Sequence, residues 1–313
     1  MQRVRSRRGL LAAIATVLLA LWTPASRCAQ DDASTASYRE VKDEAGRTVR
    51  LPKEVRRIVS LAPSATETVY ALGLQDKLVG DTDYCEFPAE AKRKPHVGGV
   101  INPNLEVVAS MHPDVVLLAK SANLLTTVRA LEQLGIPSYA TDPHTVEQIV
   151  ASTEKLGDVL GAPEAGEALA KRMNERLETL KQKLAGQPVR RIFFVVWTEP
   201  VISAGKNTFV IDAIRHAGAM SIVDSGPDWP QISLEEIIHQ QPEYLIFAAD
   251  HNQDQQSSRE ALLARPGWNA LEAVKNDKIV RIDGAIDRPS PEILRAVEEL
   301  AKQLHPEAFA EAN

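Results

Sequence analysis

Apolar residues in this chain fall into two alternating kinds of run. The short runs are continuous: Ile58-Val59, Val115-Val116-Leu117-Leu118-Ala119, Ile192-Phe193 and Tyr244-Leu245-Ile246-Phe247-Ala248. They read as strands buried on both faces. The longer stretches between them interleave charges and read as helices. A strand over 57–62 leads into a helix opened by Ser64-Ala65-Thr66-Glu67, whose spacing fits a capping box, and stopped by Gly73. A strand near Leu78, a long loop over 81–99, a helix starting at Leu105, the strand at Val115 and a helix over 123–134 follow. Such alternation predicts a mostly parallel sheet.

Residues 145–185 are helical almost throughout, interrupted at Gly161-Ala162-Pro163. Pro163 suits a first helical position, and strong helix formers fill 164–184 before Gly186 and Pro188. Such a helix spans about 30 Å, enough to join two bodies as a rod or to lie as an ordinary long helix on the surface of one domain. The alternation then resumes with a strand over 191–197, a helix over 209–217, a helix from Leu234 and the strand at Tyr244. A polar loop over 251–258, a strand over 278–282 and a helix opened by Ser290-Pro291-Glu292 complete it. Trp268 reads as core.

The two halves share a phrase. Leu105-Glu106 is followed by six residues and then Pro113-Asp114; Leu234-Glu235 is followed by six residues and then Pro242-Glu243. Upstream, Arg56-Arg57-Ile58-Val59 is echoed by Arg190-Arg191-Ile192-Phe193. Two like α/β units predict two Rossmann-like lobes joined by a single long rigid helix, with a site at their junction. The expected division is a signal peptide over 1–28, a polar leader over 29–53, a first lobe over 54–160, a linking helix over 161–187 and a second lobe over 188–313. With Asn104 and Ser233 as N-caps, Glu106 and Glu235 occupy second helical positions, where the helix dipole contributes about 0.3 to 1 kcal/mol. The same placement offers one exposed carboxylate per lobe, a matched pair able to grip arginines of a two-fold symmetric partner.

The 313 residues, 44% of them hydrophobic, suffice for two cores. Arginines 3, 5, 7 and 8 precede a short apolar stretch and a small-residue exit, the grammar of an export signal. Ser6-Arg7-Arg8 resembles a twin-arginine signal. Cys28 stands where a lipid anchor would attach, but Arg27 before it fits that processing poorly, so an untethered periplasmic protein is expected. Cleavage there removes five arginines and no acid, taking the net charge from −6 to −11. The acidic product has no basic patch for nucleic acid. Cys85 is then the one cysteine, which excludes an internal disulfide. No nucleophile elbow, zinc-protease helix or phosphate loop is present, and the seven histidines are scattered, so neither an enzyme nor an intrinsic cofactor is expected.

Five segments carry a resemblance. Ile58-Val59-Ser60-Leu61-Ala62-Pro63-Ser64-Ala65-Thr66-Glu67, Asp83-Tyr84-Cys85-Glu86-Phe87-Pro88, Asn104-Leu105-Glu106, Trp229-Pro230-Gln231-Ile232-Ser233 and Arg288-Pro289-Ser290-Pro291 together resemble the periplasmic substrate-binding proteins for cobalamin and ferric siderophores. Within that group, the helical-backbone metal receptor type, the likeness is greatest to the cobalamin binders. The resemblance implies a class III architecture and a corrinoid carried in the cleft. It further implies delivery to the permease dimer and ATPase subunits of an ABC importer, with Glu106 and Glu235 as docking carboxylates. Tyr84, Trp197, Trp229 and Arg288 match pocket positions, with Asp287 or Asp283 as a polar contact. Rings suit a large, flat, mostly apolar ligand. Cys85 is a candidate thiolate ligand to a bound cobalt. Where cobalamin binders offer first-lobe tryptophans, this chain has Val100 and Ala119, which keeps haem and siderophore complexes as alternatives. An exported hydrolase working in the same cleft is the alternative of another class.

Overall fold

Each half of the chain builds one four-stranded, wholly parallel sheet in the computed structural model. The structure describes residues 38–223, 226, 228–249 and 257–310. The expected signal peptide, Cys28 and most of the polar loop after Ala249 lie outside them. A hairpin, β1 (Tyr38–Lys42) and β2 (Thr48–Pro52), comes first. The first sheet uses β3 (Ile58–Ser60), β4 (Leu78–Gly80), β5 (Val115–Ala119) and β6 (Ser138–Thr141), with helices α1 (Pro63–Ala71), α2 (Leu105–Ser110) and α3 (Leu125–Gln133) between. Helices α4 (Val146–Leu160) and α5 (Pro163–Lys183) follow.

The second half contains β7 (Arg190–Val195), a small hairpin of β8 (Trp197–Thr198) and β9 (Val201–Ile202), α6 (Phe209–His216), β10 (Ala219–Ser221) and α7 (Leu234–Gln240). It continues through β11 (Tyr244–Ala249), α8 (Arg259–Leu263), α9 (Glu272–Lys275), β12 (Ile279–Asp283) and α10 (Ile293–Leu304). The strand orders are β4-β3-β5-β6 and β10-β7-β11-β12, so each strand of one sheet has a counterpart in the other. All five residues of β5 are buried, which is why that strand reads as an unbroken apolar run.

The repeated phrase has a structural cause. Asp114 Oδ2 accepts the N–H groups of Arg56 and Arg57 at 2.8 and 2.9 Å, and Asp114 N–H donates back to Arg57 O at 2.8 Å. In the second half Glu243 Oε1 accepts the Arg191 N–H at 3.1 Å, and its own N–H donates to Arg191 O at 2.8 Å. The arginine side chains finish the latch: Arg57 donates to Met111 O and Arg191 to Gln240 O, each at 2.8 Å, satisfying carbonyls at the ends of α2 and α7. The residues before the two prolines, His112 and Gln241, adopt left-handed φ of 46° and 43°. A following proline disfavours the helical region, so the chain leaves the helix there and turns into the strand.

The polar leader needs correction. Its residues from Tyr38 onward form the β1–β2 hairpin, which alternates outward polar residues with inward Val49 and Leu51 and packs into the first-half core. Arg39 donates to Asp158 O and Val159 O, closing the end of α4. Helix α5 has 21 residues, about 30 Å at 1.5 Å each, as the composition predicts. It crosses α4 at Gly157 and Gly166, where a Cβ added to Gly157 would lie 2.7 Å from the Gly166 Cα, so neither position tolerates a side chain.

Candidate functional site

Ligands of open parallel sheets bind beyond the carboxyl ends of the strands. At that edge of the first sheet, buried Asn123 ties three loops together. Its Oδ1 accepts Ala119 N–H, and its Nδ2 donates to Leu61 O and Val100 O, all at 2.8 Å. Tyr84 stands on this edge, 65% exposed, and Ile101, Leu124 and Leu125 are exposed as well. At the same edge of the second sheet, Trp197 pairs with Ile202 across β8 and β9. Ile202 in turn bridges Gln231, and Ser203 N–H donates to Pro230 O at 3.1 Å. That ladder brings the segment carrying Trp229 against the hairpin that carries Trp197. The two rings are 44% and 47% exposed, so Trp197 is not a core residue, whereas Trp268 is buried as expected. Trp197 Nε1 donates to Glu199 O at 2.7 Å, which orients its ring.

The lobes meet through a buried charge. Glu67, 3% exposed on α1, accepts from Arg288 Nε at 2.5 Å and from the Ser290 hydroxyl. Arg288 Nη1 also donates to Gly284 O at 2.8 Å. Arg288 therefore serves first as an interlobe tie, a role the sequence reading did not give it. Burial pushes the Glu67 carboxyl above its usual range, and Arg288 and Ser290 partly offset this. The capping box expected at Ser64 and Glu67 is not formed: Pro63 takes the first helical position and Ala62 is the cap. That proline, a preferred opener, was the signal that Glu67 belongs to the helix body. A second interlobe contact sets the Arg295 guanidinium 5.8 Å from the Phe87 ring.

Cys85 does not face the cleft. It is 2% exposed, with Sγ 3.1 Å from Thr66 Oγ1 and 3.3 Å from Thr82 Oγ1. Burial pushes its thiol up, away from the thiolate that would ligate cobalt. Tyr84 and Cys85 sit on opposite sides of one loop. Beneath it Asp81 is buried, its carboxyl pushed up to about 6 by burial despite the His96 Nδ1 at 2.9 Å. Its Oδ2 has no partner. Asp287 is exposed, and Asp283 holds Arg295 at 2.9 Å and the Ala285 N–H at 2.8 Å. Ala119 is buried and offers no stacking face; Val100 is half-buried.

Helix starts match the sequence reading at both repeated glutamates. Asn104 caps α2 through the Glu106 and Val107 N–H groups, and Ser233 caps α7 through the Glu236 N–H. Glu106 and Glu235 are exposed, each at the carboxyl edge of its sheet. Among the described residues neither has an ion-pair partner, and no helix is long and apolar enough to cross a membrane.

The chain is similar to several known proteins. The chain is 29% identical over 322 residues to the uncharacterized ABC transporter substrate-binding lipoprotein YvrC of Bacillus subtilis, covering 98% of this chain and 100% of that one. It is 30% identical over 259 residues to the vitamin B12-binding protein of Vibrio cholerae, covering 81% and 90%. The crystal structure of the periplasmic vitamin B12 binding protein BtuF of Vibrio cholerae superposes with a TM-score of 0.70 at 28% identity, over 82% of this chain and 99% of that one. The periplasmic heme-binding protein BhuT, in complex with two hemes, gives 0.73 at 26% identity, over 81% and 99%. With residues 58–285 matched, the chain belongs to the periplasmic binding protein family and has its class III fold.

Proposed function

We propose that this protein captures cobalamin or a related corrinoid between its lobes and delivers it to the permease dimer of an inner-membrane ABC importer. As a member of its family it is a solute-binding protein; the corrinoid is the finer reading. The observation that carries it is the exposure of Tyr84, Trp197 and Trp229 at the carboxyl edges of the two sheets, where rings that folding would normally bury are left open. Asp287 and the exposed part of Arg288 supply polar contacts for the amide fringe. The ligand is cargo and no bond is made or broken, which separates this reading from a hydrolase. Lobes over 54–160 and 188–313, joined by the helix within 161–187, form the working unit, with the β1–β2 hairpin added to the first. The chain works outside the inner membrane, after export by the segment over 1–28.

A second reading has one observation in its favour. Tyr84 offers an exposed phenol, a group that holds haem iron, while the first lobe lacks the tryptophan faces expected for a corrin. Titration of the purified protein with cyanocobalamin and, separately, haemin distinguishes the two. The corrinoid reading expects saturable quenching of tryptophan fluorescence by cyanocobalamin and its recovery unchanged in mass. Preference for haemin, with a Soret shift lost in Tyr84→Phe, replaces it, and turnover of the bound molecule abandons both.

A further inference from the structure

Where α4 meets α6, three side chains that bind metals converge, and they share no residue with the ligand cleft. His216 Nε2 lies 3.0 Å from Glu147 Oε1 and 3.7 Å from Asp212 Oδ2. All three donor atoms lie within 4.8 Å of one another. Asp212 and His216 stand one helical turn apart on α6 and so share a face, while Glu147 comes from the first turn of α4. We propose that this cluster binds a divalent transition-metal ion of the zinc type.

The geometry supports the assignment. Tetrahedral zinc, with bonds of about 2.0 to 2.2 Å to imidazole and carboxylate, holds its donors roughly 3.3 Å apart. The two His216 separations fall on either side of that spacing and no donor pair exceeds 4.8 Å, so side-chain rotations close the set. One imidazole and two carboxylates make three protein ligands, with water as the fourth. The support around the donors is already built. Asp212 is 7% exposed, with Oδ2 accepting the Val146 N–H at 2.8 Å and Oδ1 accepting from Arg215 at 2.9 Å. Those bonds fix the carboxylate that the ion needs, and they leave Oδ2 facing His216. Access is open: Glu147, His216 and Arg215 line a groove of about 750 Å³ that extends along α5.

Because α4 closes the first half of the fold and α6 lies in the second, the ion would staple the two together without touching cargo. The scattered histidines hid this site, since His216 finds its partners among carboxylates rather than a second histidine.

The test uses the full mature protein, dialysed against chelator and free of cargo. Calorimetric titration with zinc chloride is expected to show one site, and cobalt(II) chloride in its place is expected to give the visible absorption of a four-coordinate ion. His216→Ala is expected to weaken zinc binding by more than about 100-fold, beyond the usual loss for a supporting residue. Glu147→Gln, an exposed change that leaves folding intact, is expected to weaken it about tenfold. Absence of binding in the wild type, or binding unchanged in both variants, overturns the proposal. Cyanocobalamin titration of the same variants is unaffected whichever result is obtained, so failure here does not bear on the cargo.

Discussion

The two lobes share a frame and differ in what they mount on it. Strand order, the carboxylate-to-amide latch, the arginine that closes a helix end and the left-handed residue before proline all occur twice. The carboxyl-edge loops do not repeat. The first lobe offers Tyr84 and aliphatic residues over a buried Asp81, whereas the second offers Trp197 on a small hairpin and Trp229 on the segment that pairs with it. Repetition therefore marks what holds each sheet, and divergence marks what meets the ligand. The exceptions are Glu106 and Glu235, which repeat although no ion pair holds either carboxylate among the described residues. The proposed function gives this repetition a use, docking on a permease with two equivalent halves.

The largest effect should come from removing that pair. Glu106→Ala with Glu235→Ala should abolish transport while leaving cargo affinity intact, because each desolvated interface charge pair costs about 2 to 5 kcal/mol to break. Uptake by cells beside fluorescence titration checks it, and lost cargo binding with intact transport would refute the assignment. Next comes the bridge between lobes. Glu67→Ala leaves Arg288 beside a cavity and should lower unfolding free energy by about 3 to 5 kcal/mol in urea.

The third prediction separates the lobes by pH. Asp81 in the first lobe has its folded pKa raised to about 6, above an unfolded value near 4, so the native state holds the extra proton. Its stabilising contribution is complete at low pH and is lost as pH rises through that window. The stability of wild type relative to Asp81→Asn should therefore fall by about 2 kcal/mol between pH 4 and 6 and stay level above it. A level difference throughout would show that Asp81 ionises normally. In the second lobe, Trp197→Ala or Trp229→Ala should weaken cargo binding about 10- to 100-fold, from about 1.5 to 3 kcal/mol of lost ring contact. The smallest effect tests the latch. Asp114→Ala loses two amide bonds and Glu243→Ala one, so the first should cost about 2 kcal/mol and the second about 1 in chemical denaturation.

Much of the scaffold could be read from the residues alone. Strands buried on both faces appear as unbroken apolar runs, and the glycine and proline punctuation around α4 and α5 is unambiguous. Strands β6 and β10 escaped because they are short and carry Ser138, Thr141 and Ser221, and backbone pairing with β5 and β7 rather than composition assigns them. The β1–β2 hairpin escaped because its exposed polar residues outnumber Val49 and Leu51. At the site, exposed rings were legible as residue types matched to a family pattern. Glu67 was not, since a carboxylate three residues after a serine suggests a cap until its distant partner is known. Cys85 was misplaced because adjacency to Tyr84 does not reveal that successive residues of the loop face opposite ways.

One consequence of the glycine crossing concerns motion. Helix α5 is joined to α4 backbone against backbone, with no side chain to yield, whereas toward the second lobe its contacts are made by side chains, buried ones such as Met173 and Leu180 in the shared core and exposed ones such as Arg176 with Glu298 at 2.8 Å and Lys183 over the Phe309 ring. A door welded on one side and bolted on the other swings at the bolts. Breathing of the cleft should therefore carry the strut with the first lobe, and changes in salt concentration, which loosen exposed pairs, should alter the swing without altering the weld.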